Sequence, residues 1–146
     1  MHGVGYLQAL AKGDFKKDAY AVQQEIAGDQ CRVIFDVGAN RGDTVAAYRK
    51  KFPGASIYAF EPFPDSFNTL QSRFPSDKKL HCHQLALGDE EGTKTFYVNQ
   101  NADTNSLLEP RESGLASDKQ VKNLSTLPVK VVTIDKFCRE NNINHI

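Results

Sequence analysis

The chain has 146 residues, with 18 Lys plus Arg against 18 Asp plus Glu, 40% hydrophobic and 25% charged residues. That is the length and composition of one soluble globular domain with a packed core, and the zero net charge removes the electrostatic ground for nucleic acid as a partner. No apolar run reaches membrane-span length, and Met1 to Tyr6 lacks the basic start and apolar core of a signal peptide; with Cys31, Cys82 and Cys138 scattered and no Cys-x-x-Cys, the expectation is a cytoplasmic chain with reduced thiols.

Residues 1–30 are expected to be a helical segment. Leu7, Leu10 and Ala11 recur at helical spacing, and Tyr20 and Ile26 extend a face beyond Gly13-Asp14. A lid over a ligand and a helix packed on the sheet are both compatible with this pattern, and the packing role is the simpler. Gly28-Asp29 stops the segment. Val33 to Val37 is short, β-branched and aromatic, which predicts a buried strand. The loop Gly38-Ala39-Asn40-Arg41-Gly42 follows, and a helix opens at Asp43-Thr44, with Val45, Tyr48 and Phe52 on one face and Pro53-Gly54 as its stop.

Ser56 to Phe60 reads as a second strand closed by Glu61. Pro62, Pro64 and Asp65 start a helix whose apolar stripe is Phe63, Phe67, Leu70 and Phe74, a pattern of core packing. Leu80 to Leu87 reads as a third strand. This alternation predicts parallel strands joined by helical crossovers. After the turn at Gly88 to Gly92, Thr93 to Val98 has strand character and is expected to pair antiparallel. Asn99 to Thr126 is polar and turn-rich, long for a structureless loop, and reads as a functional or mobile segment. Val129 to Thr133 is expected as a strand and Ile134 to Asn142 as a short helix. Ile143 to Ile146 has the composition to open another strand.

Asp36, Gly38, Asn40, Gly42 and Glu61 would all lie at the carboxyl ends of adjacent parallel strands, where open α/β sheets bind ligands. Glu61 ends the second strand about twenty residues beyond the glycine loop, where an acid can accept both hydroxyls of a ribose. A dinucleotide fingerprint places its second glycine where this chain has Asn40, which disfavours NAD and FAD. The Asp-x-Gly-x-x-x-Gly pattern suits S-adenosylmethionine instead. Asp36 would then face the amine, directly or through water, and loop N–H groups would take the carboxylate. Alternatively Asp36 is a buried acid that accepts from the loop amides; the two roles are compatible. His81 and His83 share a strand face with Cys82 opposite, too few groups for a metal centre, so no metal is expected.

Four stretches together resemble the FkbM-type methyltransferase family: Val33 to Gly42, Ala59-Phe60-Glu61-Pro62, Ala86-Leu87-Gly88-Asp89 with Gly92, and Val132 to Phe137. The resemblance runs from Val33 to the end of the chain, in the family's order. It implies a Rossmann-like class I α/β fold, a parallel sheet with flanking helices and an antiparallel hairpin extension. It also implies S-adenosylmethionine-dependent O-methylation of a hydroxyl on a sugar or other small-molecule acceptor. By motif position, Asp36, Gly38, Ala39, Asn40 and Gly42 would line the methionine end, and Glu61 would bind the ribose. Pro62, Ala86 and Leu87 would shape the adenine side, and Ser106 would lie near cofactor or acceptor.

The family pattern continues past a segment like Asn142 to Ile146 into a strand bearing a Lys-Ile-Asp-like motif. Residues 31–146 are therefore expected to be a partial methyltransferase domain, either a fragment of a longer enzyme or a naturally short chain, with the fragment favoured. The first strand would then have an open edge, which invites a homo-oligomer through strand pairing. No residue is assigned as catalytic base. The alternative from another class is a non-catalytic binding or interaction module that keeps the nucleotide loop; an NAD-dependent oxidoreductase is the least favoured reading.

Overall fold

The computed structural model describes residues 19–99, 105–109 and 123–146, and the expectations for the first eighteen residues lie outside them. The elements are α1 (Ala19–Ala27), a 3-10 turn (Gly28–Gln30), β1 (Val33–Val37), α2 (Asp43–Lys51), β2 (Ser56–Phe60), α3 (Pro64–Arg73), β3 (Leu80–His83), β4 (Ala86–Leu87), β5 (Gly92–Asn99), β6 (Asn123–Val132) and α4 (Ile134–Glu140).

β1, β2 and β3 pair in that order, all parallel, with Ile34 opposite Ile57 and Ile57 opposite Leu80. This is the 3-2-1 half of a doubly wound sheet. The alternation of side chains across the strands gives the sheet two apolar faces. Ile34, Ile57 and Ala59 pack with Val45 and Phe52 around α2 and with Leu70 of α3. The opposite face carries Phe35, Tyr58, Phe60, His81 and His83. Phe137 of α4 meets Phe35, Tyr58, Phe60 and His83 edge-on, at ring-centroid separations of 4.8 to 5.8 Å. His81 stacks on Tyr58, and His83 on Tyr58 and Phe60. β1 is the outer strand of its sheet among the described residues.

The helices start and stop for local reasons. α3 begins with Pro64 at its first turn, where a missing N–H costs nothing. The Thr133 hydroxyl caps α4 by accepting from the Lys136 N–H. α1 packs on α2, with the Tyr20 ring edge-on to Tyr48 and the Gln24 side-chain amide donating to the Lys51 carbonyl.

Two strand boundaries differ from the sequence expectation. Leu80 to Leu87 is not one strand: Leu80–His83 pairs with β2, whereas Ala86–Leu87 changes partner to β6, with a break at Gln84 and Leu85. β6 begins at Asn123, six residues earlier than its β-branched run suggests, because it pairs antiparallel with β5 as far as Asn99. The polar Asn123 to Thr126 has little strand propensity, and its partner strand supplies the ladder. Pro128 is tolerated because β4 reaches only Val131 and Val132, so β6 has one free side at the proline among the described residues. Ile143–Ile146 forms no strand.

Candidate functional site

A cleft of about 200 Å³ opens where β1, β2 and β4 end, at the carboxyl edge of the sheet. Gly38 and Asn40 form one side of it, and Glu61 and Pro62 the floor beyond β2. Ala86 and Leu87 contribute an apolar wall. Phe96 of β5 and two residues of the following segment, Asn105 and Leu107, complete it. A larger cavity of about 710 Å³ lies at the opposite end of the strands, between the start of β1 and residues 141–146, away from the glycine loop.

The loop is held by its neighbours. The Gly38 and Ala39 N–H groups both donate to the Phe60 carbonyl, at 2.9 and 3.0 Å, and the Gly42 N–H donates to the Ala39 carbonyl at 2.8 Å. The Asn40 N–H donates to Glu61 Oε2 at 2.8 Å, while the Phe63 N–H donates to Oε1 at 2.8 Å. Glu61 is buried, with each carboxylate oxygen fixed by one backbone amide. Each oxygen keeps a second lone-pair direction for a ligand hydroxyl. Burial pushes the Glu61 carboxyl up from its ordinary pKa, and the two amides pull the other way.

These bonds change the expected division of labour. Four of the five loop amides are engaged within the chain, so the loop is a preformed wall more than an open set of anion donors. Among the described residues no hydrogen bond joins Asp36 to the loop amides; the Phe60 carbonyl, the Glu61 carboxylate and the Ala39 carbonyl take them instead. Asp36 is 6% exposed, and its Oδ2 is buried without a hydrogen-bond partner. Burial first, and then the nearby Glu61 charge, raise its pKa to about 6. A buried carboxylate oxygen without a donor favours a cationic or N–H-bearing group beside it.

The two loop glycines serve different ends. Gly38 has φ +79°, and a side chain there would meet nothing within 4 Å, so the backbone lies open along the cleft. Gly42 has φ +89°, and a Cβ there would sit 2.7 Å from Leu70 Cδ1 and 2.7 Å from Phe74 Cε2. Gly42 therefore lets α3 pack on the loop. Ala39 is buried in the core under α2, and neither residue lines the cleft.

Of the ten residues expected at a cofactor site, Gly38, Asn40, Glu61, Pro62, Ala86 and Leu87 line the cleft, and Asp36, Ala39, Gly42 and Ser106 do not. The Ser106 hydroxyl accepts from the Leu108 N–H, and its backbone pairs with Tyr97. Its neighbours Asn105 and Leu107 are the ones that reach the cleft. Asn105 is placed by accepting the Asn99 N–H at 2.8 Å. The polar segment after β5 thus does contribute to the site, although its composition singles out none of these residues.

The sequence pattern does not single out Ser66 of α3 either. It is 3% exposed, and its hydroxyl donates to Asn40 Oδ1 at 2.8 Å. A signal was available: Ser66 lies three residues after Phe63 and four before Leu70, a polar residue on an apolar stripe. Among the described residues no group of three or more His, Cys, Asp or Glu side chains is placed to hold a metal, and no helix is long and apolar enough to cross a membrane.

Residues 36–146 match the family described as the methyltransferase FkbM domain. Methyltransferase 1 of Beauveria bassiana (strain ARSEF 2860) is 27% identical over 118 residues, 72% of this chain and 47% of that protein. The 31-O-demethyl-FK506 methyltransferase FkbM of Streptomyces tacrolimicus is 32% identical over 94 residues, 55% of this chain and 36% of that protein. A crystal structure of a methyltransferase FkbM from Methylobacillus flagellatus KT aligns over 82% of this chain and 34% of that one, at 14% identity and a TM-score of 0.44. The chain spans half or less of the length of these relatives.

Proposed function

The chain belongs to the methyltransferase FkbM domain family, and from that premise we propose that its cleft binds S-adenosylmethionine for methyl transfer to a hydroxyl of a small-molecule acceptor. One observation carries the reading. The glycine loop and the buried Glu61 meet through the bond from the Asn40 N–H to Glu61 Oε2, at the carboxyl edge of a parallel sheet.

The residues present fit that cofactor. Gly38 leaves open space beside its backbone, so a ligand can approach closely. Glu61 is fixed by two amides and retains acceptor capacity toward the cleft, as a ribose diol requires. Asp36 does not line the cleft, so its buried Oδ2, which lacks a donor, favours an ammonium group through its negative charge beside the loop rather than by direct contact. Pro62, Ala86 and Leu87 offer an apolar surface for an adenine ring. The cleft of about 200 Å³ is smaller than the roughly 300–1,000 Å³ of typical small-molecule sites, so these residues enclose part of the ligand.

When bound, the cofactor supplies an electrophilic methyl group on sulfur. The chain's own part is to orient it. Glu61 and the loop hold one end, and the apolar wall excludes water from the other. Proton removal from the acceptor is assigned to none of the residues described. Titration of the folded chain with S-adenosylmethionine, S-adenosylhomocysteine and NAD separates the cofactor classes. The proposal expects both sulfur compounds to bind and NAD to fail; binding of NAD alone overturns it. Binding without methyl transfer to any hydroxyl acceptor supports the non-catalytic alternative for this chain.

A further inference from the structure

We propose that Ser66 is a positioning residue of the cleft: its hydroxyl holds Asn40 in the turn that presents the Asn40 amide to Glu61, and so sets the Glu61 carboxylate toward the ligand. The inference deepens the cofactor reading, since Glu61 is the ribose-side group there.

Three contacts form a relay from α3 to the cleft. Ser66 Oγ donates to Asn40 Oδ1 at 2.8 Å, Asn40 N donates to Glu61 Oε2 at 2.8 Å, and Phe63 N, from the turn leading into α3, closes on Oε1 at 2.8 Å. Asn40 has φ 46°, a left-handed conformation that most side chains resist and asparagine tolerates. A glycine would reach that conformation more easily but would have no oxygen for Ser66. Asparagine at this position thus both accepts the left-handed turn and ties it to α3. Ser66 itself is 3% exposed, so its hydroxyl would be left unsatisfied without Asn40 unless another partner replaced it.

The reading that Ser66 merely satisfies its own buried hydroxyl makes different predictions. Ser66→Ala, Asn40→Gly and the double variant separate the two, with amide exchange and Glu61 titration followed by NMR in the cofactor-free chain. Under the proposal, Ser66→Ala speeds exchange of the Asn40 amide about five- to tenfold, the loss of one hydrogen bond's restraint. It also raises the Glu61 pKa as the Asn40 amide slackens, and leaves the Ile57 amide in the sheet core unchanged. Adding Ser66→Ala to Asn40→Gly then changes neither readout further. S-adenosylhomocysteine affinity falls by a similar factor in Ser66→Ala. Unchanged exchange at Asn40, or an equal effect of Ser66→Ala in both backgrounds, overturns the relay. Faster exchange with unaltered affinity overturns its positioning role. If the wild-type chain binds no sulfur cofactor, the functional reading falls, and the exchange and titration measurements still decide whether Ser66 positions Asn40 and Glu61.

Discussion

Alanine substitution at three glycines separates backbone conformation from packing in the site. Gly38 has φ +79° and open space where a Cβ would stand, so Gly38→Ala is charged only with the left-handed conformation, about 1–2 kcal/mol. At Gly88 the backbone is ordinary, but a Cβ would lie 2.7 Å from Val131 Cγ1, on a side chain that is 1% exposed and stiff at its branch. Gly88→Ala is therefore charged with overpacking, about 1–3 kcal/mol, less the few tenths recovered from a less flexible unfolded chain. Gly42 combines both effects, with φ +89° and clashes at Leu70 and Phe74. Leu70 is fully buried and cannot swing aside. Gly42→Ala is thus expected to cost about 2–5 kcal/mol, the sum of the two effects. The chain has no tryptophan, so urea unfolding is followed by far-ultraviolet circular dichroism. If Gly42→Ala costs no more than Gly38→Ala, α3 does not press on the loop and the packing argument is refuted. If it keeps its stability and loses ligand affinity, Gly42 serves the ligand directly.

Other perturbations test separate parts of the structure. The Asp36 carboxyl is raised from 3.8 to about 6, so in that window the folded chain keeps a proton that the unfolded chain has released, and the Asp36 contribution to stability falls as pH rises through it. The cost is complete above the folded pKa and amounts to at most about 3 kcal/mol. Asp36→Asn should therefore unfold at higher urea than wild type at pH 8, and the difference should shrink to about 0.5 kcal/mol near pH 4 and vanish below the unfolded pKa of 3.8; a constant difference across that range contradicts the burial argument. Arg49 binds both oxygens of Asp77, at 2.8 and 3.2 Å, and the Ala55 carbonyl at 2.7 Å, with both side chains mostly covered. Arg49→Ala is expected to cost about 1.5–3 kcal/mol. Arg49→Lys should recover less than half of that in the same unfolding assay, because an ammonium cannot reproduce the fork. Full recovery by lysine would show that charge alone matters there.

What the sequence made legible, and what it hid, follows from the range of the interactions involved. β1, β2 and their helices were readable because Val33 to Val37 and Ser56 to Phe60 are short apolar runs, and because Pro53-Gly54 and Pro62 to Pro64 punctuate them locally. The meeting of Gly38, Asn40 and Glu61 followed from the rule that parallel strands end on one edge. The break between β3 and β4 was not legible, since His83 and Ala86 differ in which distant strand they pair with. Asn123 to Thr126 joins β6 only because β5 lies alongside. Gly42 looked like a ligand-approach glycine, and its contact with Leu70 and Phe74 depends on how α3 crosses the loop. The places of Asn105 and Leu107 in the cleft depend likewise on the bridge between Tyr97 and Ser106.

The most direct test of the account is the affinity of the wild-type chain and of Glu61→Gln for S-adenosylhomocysteine, measured by calorimetric titration on samples shown to be folded. The account predicts binding by the wild type and a loss of about tenfold or more in Glu61→Gln, as expected when hydrogen bonds to a charged acceptor are weakened. A folded wild-type chain that binds no sulfur cofactor, or equal affinity in the two proteins, would contradict the assignment of the cleft and of Glu61 within it.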